Sequence, residues 1–320
     1  MSNKPKETYS VRNWKEYNKS LVQRGSVTLW INEEVLKKWQ SVERTGRRGR
    51  PKEYADEIIQ CILCVKAVYS LGFRATEGFV KSLFLLQGVD LKVPDYSSLC
   101  KRQKHLKITL PKNRRPGEGL HLVIDTTGLK VFGEGEWKVR QHGVVKKRLW
   151  RKLHLAINSQ TQMIEAVELT ELGVPDSEGF SRLLNHIEDP IETAIGDGAY
   201  DRFSCYEAIE KRGGKGIFPP QHNAVMSDER TANRKKASAK AVAKRDEAIK
   251  GVRSLGRKTW KEEVGYHRRS LAETGMFRLK TILGRRLSTH HLENQIVEAR
   301  IWCSIINTMT IQGMPKTVIL

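Results

Sequence analysis

Cysteine is scarce in this 320-residue chain: five residues, odd in number and irregularly spaced, exclude the disulfide framework of a small secreted scaffold. The one close pair, Cys61 and Cys64, has no second pair at zinc spacing. It lies in the apolar run Ile58-Ile-Gln-Cys-Ile-Leu-Cys-Val65, where packing in a helical core is expected. Histidine is sparse too. His290-His291-x-Glu293 looks metal-like but has no partner cluster, so no metal is assigned to it, and His142 and His154 are read as structural or DNA-touching. No run approaches the ~18 apolar residues of a membrane span, and the opening Met1-Ser-Asn-Lys-Pro-Lys-Glu7 is too polar for a secretory signal. A soluble protein of a reducing cytoplasm, without a membrane partner, is the expectation.

Acids are also in short supply, 36 Asp and Glu against 57 Lys and Arg, for a net charge of +21. The surplus is uneven. Residues 1–118 carry 24 basic and 12 acidic residues, residues 119–200 carry 9 and 12, and residues 201–320 carry 24 and 12. Positive flanks around a mildly acidic centre suit an enzyme whose metal-binding carboxylates sit centrally while phosphate contacts lie to either side.

Three acids stand out. His121-Leu-Val-Ile-Asp125 is a short apolar run ending in Asp, the pattern of a buried strand that delivers a carboxylate at its edge, and Ala194-Ile-Gly-Asp197-Gly-Ala-Tyr-Asp201 is a second. Asp201 is read as a helix cap. Tyr266, Arg269, Glu273 and Lys280 stand at i, i+3, i+7 and i+14, so on one continuous helix they would share an arc of roughly 60°. Leu271, Ala272, Leu279, Ile282 and Leu283 would line the opposite face, with Phe277 breaking the separation. Carboxylates from three separate elements would form an all-oxygen site for hard divalent cations, and the flanking cations would offset the repulsion of an anionic backbone.

Along the chain, residues 1–118 read mostly as helices: Asn32 caps one, Tyr54–Ser70 and Thr76–Gln87 carry helical periodicity, and Asp95 caps a helix that ends in Lys101, Arg102 and Lys104. A basic third helix suggests a helix-turn-helix-like DNA reader; an ordinary bundle with a solvated basic end fits as well. Arg48-Gly-Arg50-Pro51, within 47–52, resembles the core of an AT-hook or is simply a basic linker. From 119 the pattern turns to strands at 121–125, about 150–158 and about 163–170. A helix Ser177–Ile187 capped by Asp176, the strand before Asp197, a helix near Cys205–Lys211 and a strand at 216–219 follow. Residues 221–262 form a basic insert, either helical or ordered only on DNA. Leu292–Ile311 reads as an amphipathic helix closing the domain, before a tail at 313–320.

The strand Asp125, the Asp197-Gly-Ala-Tyr-Asp201 string and the Tyr-x2-Arg-x3-Glu-x6-Lys pattern resemble the Asp-Asp-Glu transposases of bacterial insertion sequences. The likeness is to the insertion sequence five family, insertion sequence nine-hundred-and-three group. Arg12-Asn-Trp-Lys-Glu-Tyr-Asn18, Arg24-Gly-Ser26, Pro94-Asp-Tyr-Ser97, Gly133-Glu-Gly-Glu-Trp137, Trp150-Arg-Lys-Leu-His154 and Gly313-Met-Pro315 extend it over nearly the whole chain.

The resemblance implies a mixed α/β protein: a helical DNA-binding domain over 1–118 and an RNase H-like catalytic domain over 119–312. It implies two Mg2+ ions, replaceable by Mn2+, with Asp125 shared and Asp197 and Glu273 holding one each, roughly 3.5–4 Å apart. Tyr266, Arg269 and Lys280 would grip the phosphates of the element's end. Arg48, Arg50, Lys101, Arg102 and Lys104 are the further DNA-binding candidates. The expected partners are element ends and target DNA, bound by a homodimer or higher oligomer in the bacterial cytoplasm, at the nucleoid. A catalytically silent regulator that only binds ends, and an RNase H-like nuclease without strand transfer, are the competing readings.

Overall fold

The computed structural model describes residues 9–39, 53–115, 117–131, 149–228 and 238–319. Arg48, Arg50 and the rest of 47–52, His142, and Gly133–Trp137 lie outside the described residues. The chain divides into two compact units, Met1–Pro111 with Ser304–Leu320, and Lys112–Cys303.

The first unit carries helices α1 (Trp14–Arg24), α2 (Glu33–Lys38), α3 (Asp56–Val68), α4 (Phe73–Leu86) and α5 (Tyr96–Gln103). Two starts follow the sequence signals. Asn32 accepts from the Val35 N–H at 2.9 Å, and Asp95 accepts from the Ser97 hydroxyl at 2.6 Å and the Ser98 N–H at 2.8 Å, which hold its carboxyl down to about 2. Ile58, Ile59, Ile62 and Val65 of α3 are buried, and Cys61 and Cys64 pack among them, their thiols pushed up by burial. Inert core cysteines are the result. Residues 313–320, expected as a tail, instead include a strand, Thr317–Ile319, paired antiparallel with β1 (Tyr9–Val11). Asn13 fixes the pairing, donating to the Met314 carbonyl at 3.0 Å and accepting from the Lys316 N–H at 2.7 Å.

The second unit is mixed α/β around one sheet. Its strands are β2 (Leu120–Val131), β3 (Trp150–Asn158), β4 (Ile164–Glu171), β5 (Ile191–Ile195), β6 (Lys215–Ile217) and the short β7 (Arg286–Leu287). The order is β4-β3-β2-β5-β6, with β4, β3 and β2 antiparallel and β2, β5 and β6 parallel. Helices α6 (Asp176–Leu184) and α7 (Phe203–Glu210) bury Phe180, Leu183, Cys205 and Ile209 against Leu122, Ile124, Ala156 and Ala194. The residue before α6, Pro175, holds its N-cap position, so Asp176 does not cap it as expected; it lies in the first turn and pairs with Lys152 at 3.0 Å.

Much of the insert is helix, α8 (Ala239–Leu255) capped by the Ser238 hydroxyl and α9 (Arg257–Glu263), while 229–237 are outside the described residues. Helix α10 (Ser270–Leu283) packs on β2 and β3. Gly275 lies on this contact, where a Cβ would displace the end of the Ile157 side chain. Helix α11 (Leu292–Gln312) is not amphipathic: Val297, Ala299, Trp302, Cys303, Ile305 and Ile306 are all buried, and its buried Glu298 is satisfied by the N–H and hydroxyl groups of Ser288 and Thr289. Among the described residues no single helix is long and apolar enough to cross a membrane.

Candidate active site

Asp125 does not end its strand. Thr126 to Lys130 keep their ladder with β3, so β2 runs on to Val131. What stops beside Asp125 is β5, whose last partnered residue, Ile195, stands opposite Val123; β7 takes up that edge only at Lys130 and Val131. Alternation along β2 then sorts the side chains. Ile124 and Thr126 face the core beneath α6 and α7, while Asp125 and Thr127 face α10. The Asp125 carboxylate is 14% exposed and accepts from the Thr126 N–H at 2.8 Å.

Asp197 lies two residues beyond β5 and opens a tight turn, Gly198–Tyr200, by accepting from the Ala199 N–H at 2.9 Å. Its side chain is 38% exposed. Glu273 projects from the first turn of α10 and is 60% exposed.

Tyr266 and Arg269 are not on the helix that carries Glu273. Gly265, with φ +67°, redirects the chain after α9, and Tyr266–Arg269 form a 3-10 turn that runs directly into α10, with Arg269 at its N-cap position. Tyr266 is partly buried with Ile195, Ile217 and Trp260, and the Lys261 ammonium lies 4.8 Å from its ring centre. Arg269 instead reaches the acids: 2.6 Å to Glu273, 3.3 Å to Asp125 and 4.0 Å to Asp197. One guanidinium thus joins all three acids. Its Nε is buried without a hydrogen-bond partner. On α10 the buried residues are Ala272, Met276 and Leu279, whereas Leu271, Ile282 and Leu283 are half-buried and Phe277 is exposed. Lys280 donates to Thr127 Oγ1 at 2.5 Å.

The electrostatics follow from that packing. Burial raises the Asp125 pKa, the Thr126 N–H and Arg269 oppose the rise, and Asp197 and Glu273 add to it. Burial works against the Arg269 charge, but Asp125, Tyr266, Glu273 and Asp197 outweigh it and its pKa is raised. Burial, then Arg285, lowers the Lys280 pKa. Three carboxylates around one guanidinium leave a surplus of negative charge, the condition for attracting a hard cation. With Arg269 between them, the acids are not drawn up at metal-ligating spacing; among the described residues no group of three His, Cys, Asp or Glu is.

Asp201 does not cap a helix. It is buried, and both its oxygens take Arg245, at 2.8 and 2.9 Å, while the Gln221 N–H donates to Oδ2 at 3.1 Å. In the first unit, Lys101 and Lys104 are exposed, but Arg102 turns inward, donating to the Tyr54 carbonyl at 2.5 Å and pairing with Asp56. His290 and His291 are exposed. Sequence reasoning missed Gly275 and the hydroxyls of Thr126, Thr170 and Tyr200 around His154. A Thr directly after an acid and a Tyr three residues after another were the available signals.

Two family models, each described as a transposase DDE domain, match this chain, one over residues 22–134 and the other over residues 116–309. No solved structure matches it.

Proposed function

The chain belongs to the DDE transposases, and from that premise we propose that it is the transposase of a bacterial insertion sequence, of the insertion sequence five kind. It would bind the element's terminal inverted repeats, hydrolyse them to free 3′-OH groups and join those to target DNA. The observation that carries this reading is the convergence of Asp125, Asp197 and Glu273, from a strand, a strand-end turn and a helix, on the single cation Arg269.

The family implies divalent metal use, and the donor set fits it: three carboxylates, no thiolate or imidazole among them, already gathered about a positive charge. We assign Asp125, Asp197 and Glu273 to hold two Mg2+ ions, with Mn2+ able to substitute. Bound there, the metal would activate the attacking oxygen and stabilise the leaving one.

The chain's own residues do the rest. The Thr126 and Ala199 N–H groups fix one oxygen each of Asp125 and Asp197, and the other oxygen of each faces Arg269, from which a metal ion could take it over. Arg269 offsets part of the acids' charge in the absence of substrate; with a phosphodiester in place its guanidinium can pass to the phosphate, for which a planar fork is suited. Lys280, held by Thr127 about two turns beyond Glu273, adds a second cation on the same side. Tyr266 completes the grip. The sheet order, three antiparallel strands followed by two parallel ones, is compatible with an RNase H-like domain. The exposed Lys101 and Lys104 at the end of α5 support a DNA-reading role for the helical first unit. An element has two ends and the described residues hold one such acid cluster, so a homodimer or higher oligomer on DNA is proposed.

Incubating the protein with Mg2+ and DNA carrying its element's ends tests this. Cutting followed by joining is expected. Binding without cutting would make it a regulator, and cutting without joining a nuclease.

A further inference from the structure

On the face of β2 opposite Asp125, four polar side chains form a chain inside the core. His154 is fully buried. Its Nδ1 lies 2.9 Å from Thr126 Oγ1 and its Nε2 2.9 Å from Thr170 Oγ1, and Thr126 Oγ1 lies 2.8 Å from the Tyr200 hydroxyl. Helix α6 passes over this point at Gly179, where any Cβ would collide with the His154 ring.

The chain balances when His154 is neutral, one ring nitrogen donating and the other accepting. It can run from Tyr200 through Thr126 and His154 to Thr170 or in reverse, and in either direction the Thr126–Tyr200 bond is made. Burial pushes the His154 imidazole down to about 4, which keeps it neutral at physiological pH.

The ends of this chain matter. Thr126 directly follows Asp125 and its N–H holds the Asp125 carboxylate. Tyr200 closes the turn that Asp197 opens, its N–H donating to the Asp197 carbonyl at 3.1 Å. Its ring is packed so closely on Gly196 that a Cβ there would stand 2.7 Å from Cδ2, with Phe180 and Phe218 alongside. Ladder pairing between β2 and β5 has already ended at Val123 and Ile195. The Thr126–Tyr200 bond is the next tie between the two segments.

We propose that this bond, aimed by His154, is a positioning device that sets the Asp197 turn against the Asp125 strand and so fixes the two carboxylates for metal binding. Thr126, His154, Thr170 and Tyr200 are positioning residues that touch neither metal nor DNA. The inference rests on the reading that Asp125 and Asp197 ligate divalent ions.

Its test is Mn2+ binding to the full chain without DNA, measured by titration calorimetry, with Asp125→Ala as control. Tyr200→Phe and Thr126→Val should each weaken Mn2+ binding about tenfold, the scale on which outer partners of metal ligands act. The double variant should be no weaker than either single one, since both remove the same bond. Thr126→Ser, which keeps the hydroxyl, should bind Mn2+ as wild type does. Unchanged Mn2+ affinity in Tyr200→Phe and Thr126→Val, with Asp125→Ala impaired, would overturn the tether and leave the metal reading standing. So would a Thr126→Ser variant as weak as Thr126→Val, because packing rather than hydrogen bonding would then be responsible. If Asp125→Ala binds Mn2+ normally, the metal reading falls and the tether with it. Should Thr126→Val fail to fold, Tyr200→Phe, which only deletes an atom, decides alone.

Discussion

Two arginines in the second unit hold carboxylates in opposite ways. Arg245 gives Nε and Nη2 to one buried partner, Asp201, at 2.8 and 2.9 Å, and Nη1 to the Val225 carbonyl at 3.2 Å, with the Arg245 and Asp201 side chains 5% and 0% exposed. Arg269, a quarter exposed, divides itself among Asp125, Asp197 and Glu273 at distances from 2.6 to 4.0 Å and keeps a buried Nε unpaired. The first is a closed, bidentate lock between α8 and the segment before α7. The second is a shared, unsaturated contact that a competing ligand can exchange. Asp201 and Asp197 are four residues apart in one string, yet Asp201 has both oxygens locked by Arg245 while Asp197 is 38% exposed and meets Arg269 only at 4.0 Å.

The largest effect should come from the acids. Asp125→Ala, Asp197→Ala or Glu273→Ala should each lower Mg2+-dependent end cleavage by at least ~1000-fold, about 4 kcal/mol of barrier, with end binding in gel shifts largely intact. Substantial cutting by any one variant would remove that residue from the site.

Next come the two arginines themselves. Arg245→Met leaves the Asp201 charge buried and should lower unfolding stability in urea by about 3–5 kcal/mol, whereas Arg269→Met should cost no more than about 1 kcal/mol because its partners retain water. Equal losses would erase the distinction drawn between them.

His154 extends the comparison to a buried base with no counter-charge in contact. Its pKa falls from 6.5 to about 4, by burial. Between those values the unfolded chain takes up a proton that the folded chain refuses. Stability should therefore fall as pH drops from 6.5 towards 4, by on the order of 3 kcal/mol, and not change on this account above 6.5. Thermal melts of wild type against His154→Gln should show a shallower acid slope in the variant.

The smallest effect is expected at the surface of the first unit. Lys101→Ala with Lys104→Ala should reduce the preference for true ends over random DNA several-fold, each lost phosphate contact also lowering the salt slope of binding by about 0.9. Arg102→Ala should instead loosen α5 from Tyr54 and Asp56 and register as lost stability. If the lysine pair leaves the preference unchanged, α5 is not the reader.

Much of this was legible in the chain. Asn32 and Asp95 announced helix starts because their side chains satisfy orphan N–H groups locally, and the strand segments showed through apolar runs. The errors lie where distant groups decide. Asp201 reads as a cap until Arg245, 44 residues on, claims it. Asp125 reads as a strand end until β3 is seen to carry β2 onward. Tyr266 and Arg269 read as one α-helix with Glu273, yet they form a 3-10 turn that leads into it.

The sequence by itself determined which side chains could do chemistry: the three acids, the cations beside them and the basic flanks, because charge, hydrogen-bonding capacity and local backbone preference belong to residues and their near neighbours. Only the tertiary structure decided which acids are spent on stability and which are left open. It put Arg269 at the centre of three elements, buried His154 where it must stay neutral, and let α6 approach through Gly179. Those outcomes depend on packing distances and desolvation, which exist only once segments far apart in sequence have met.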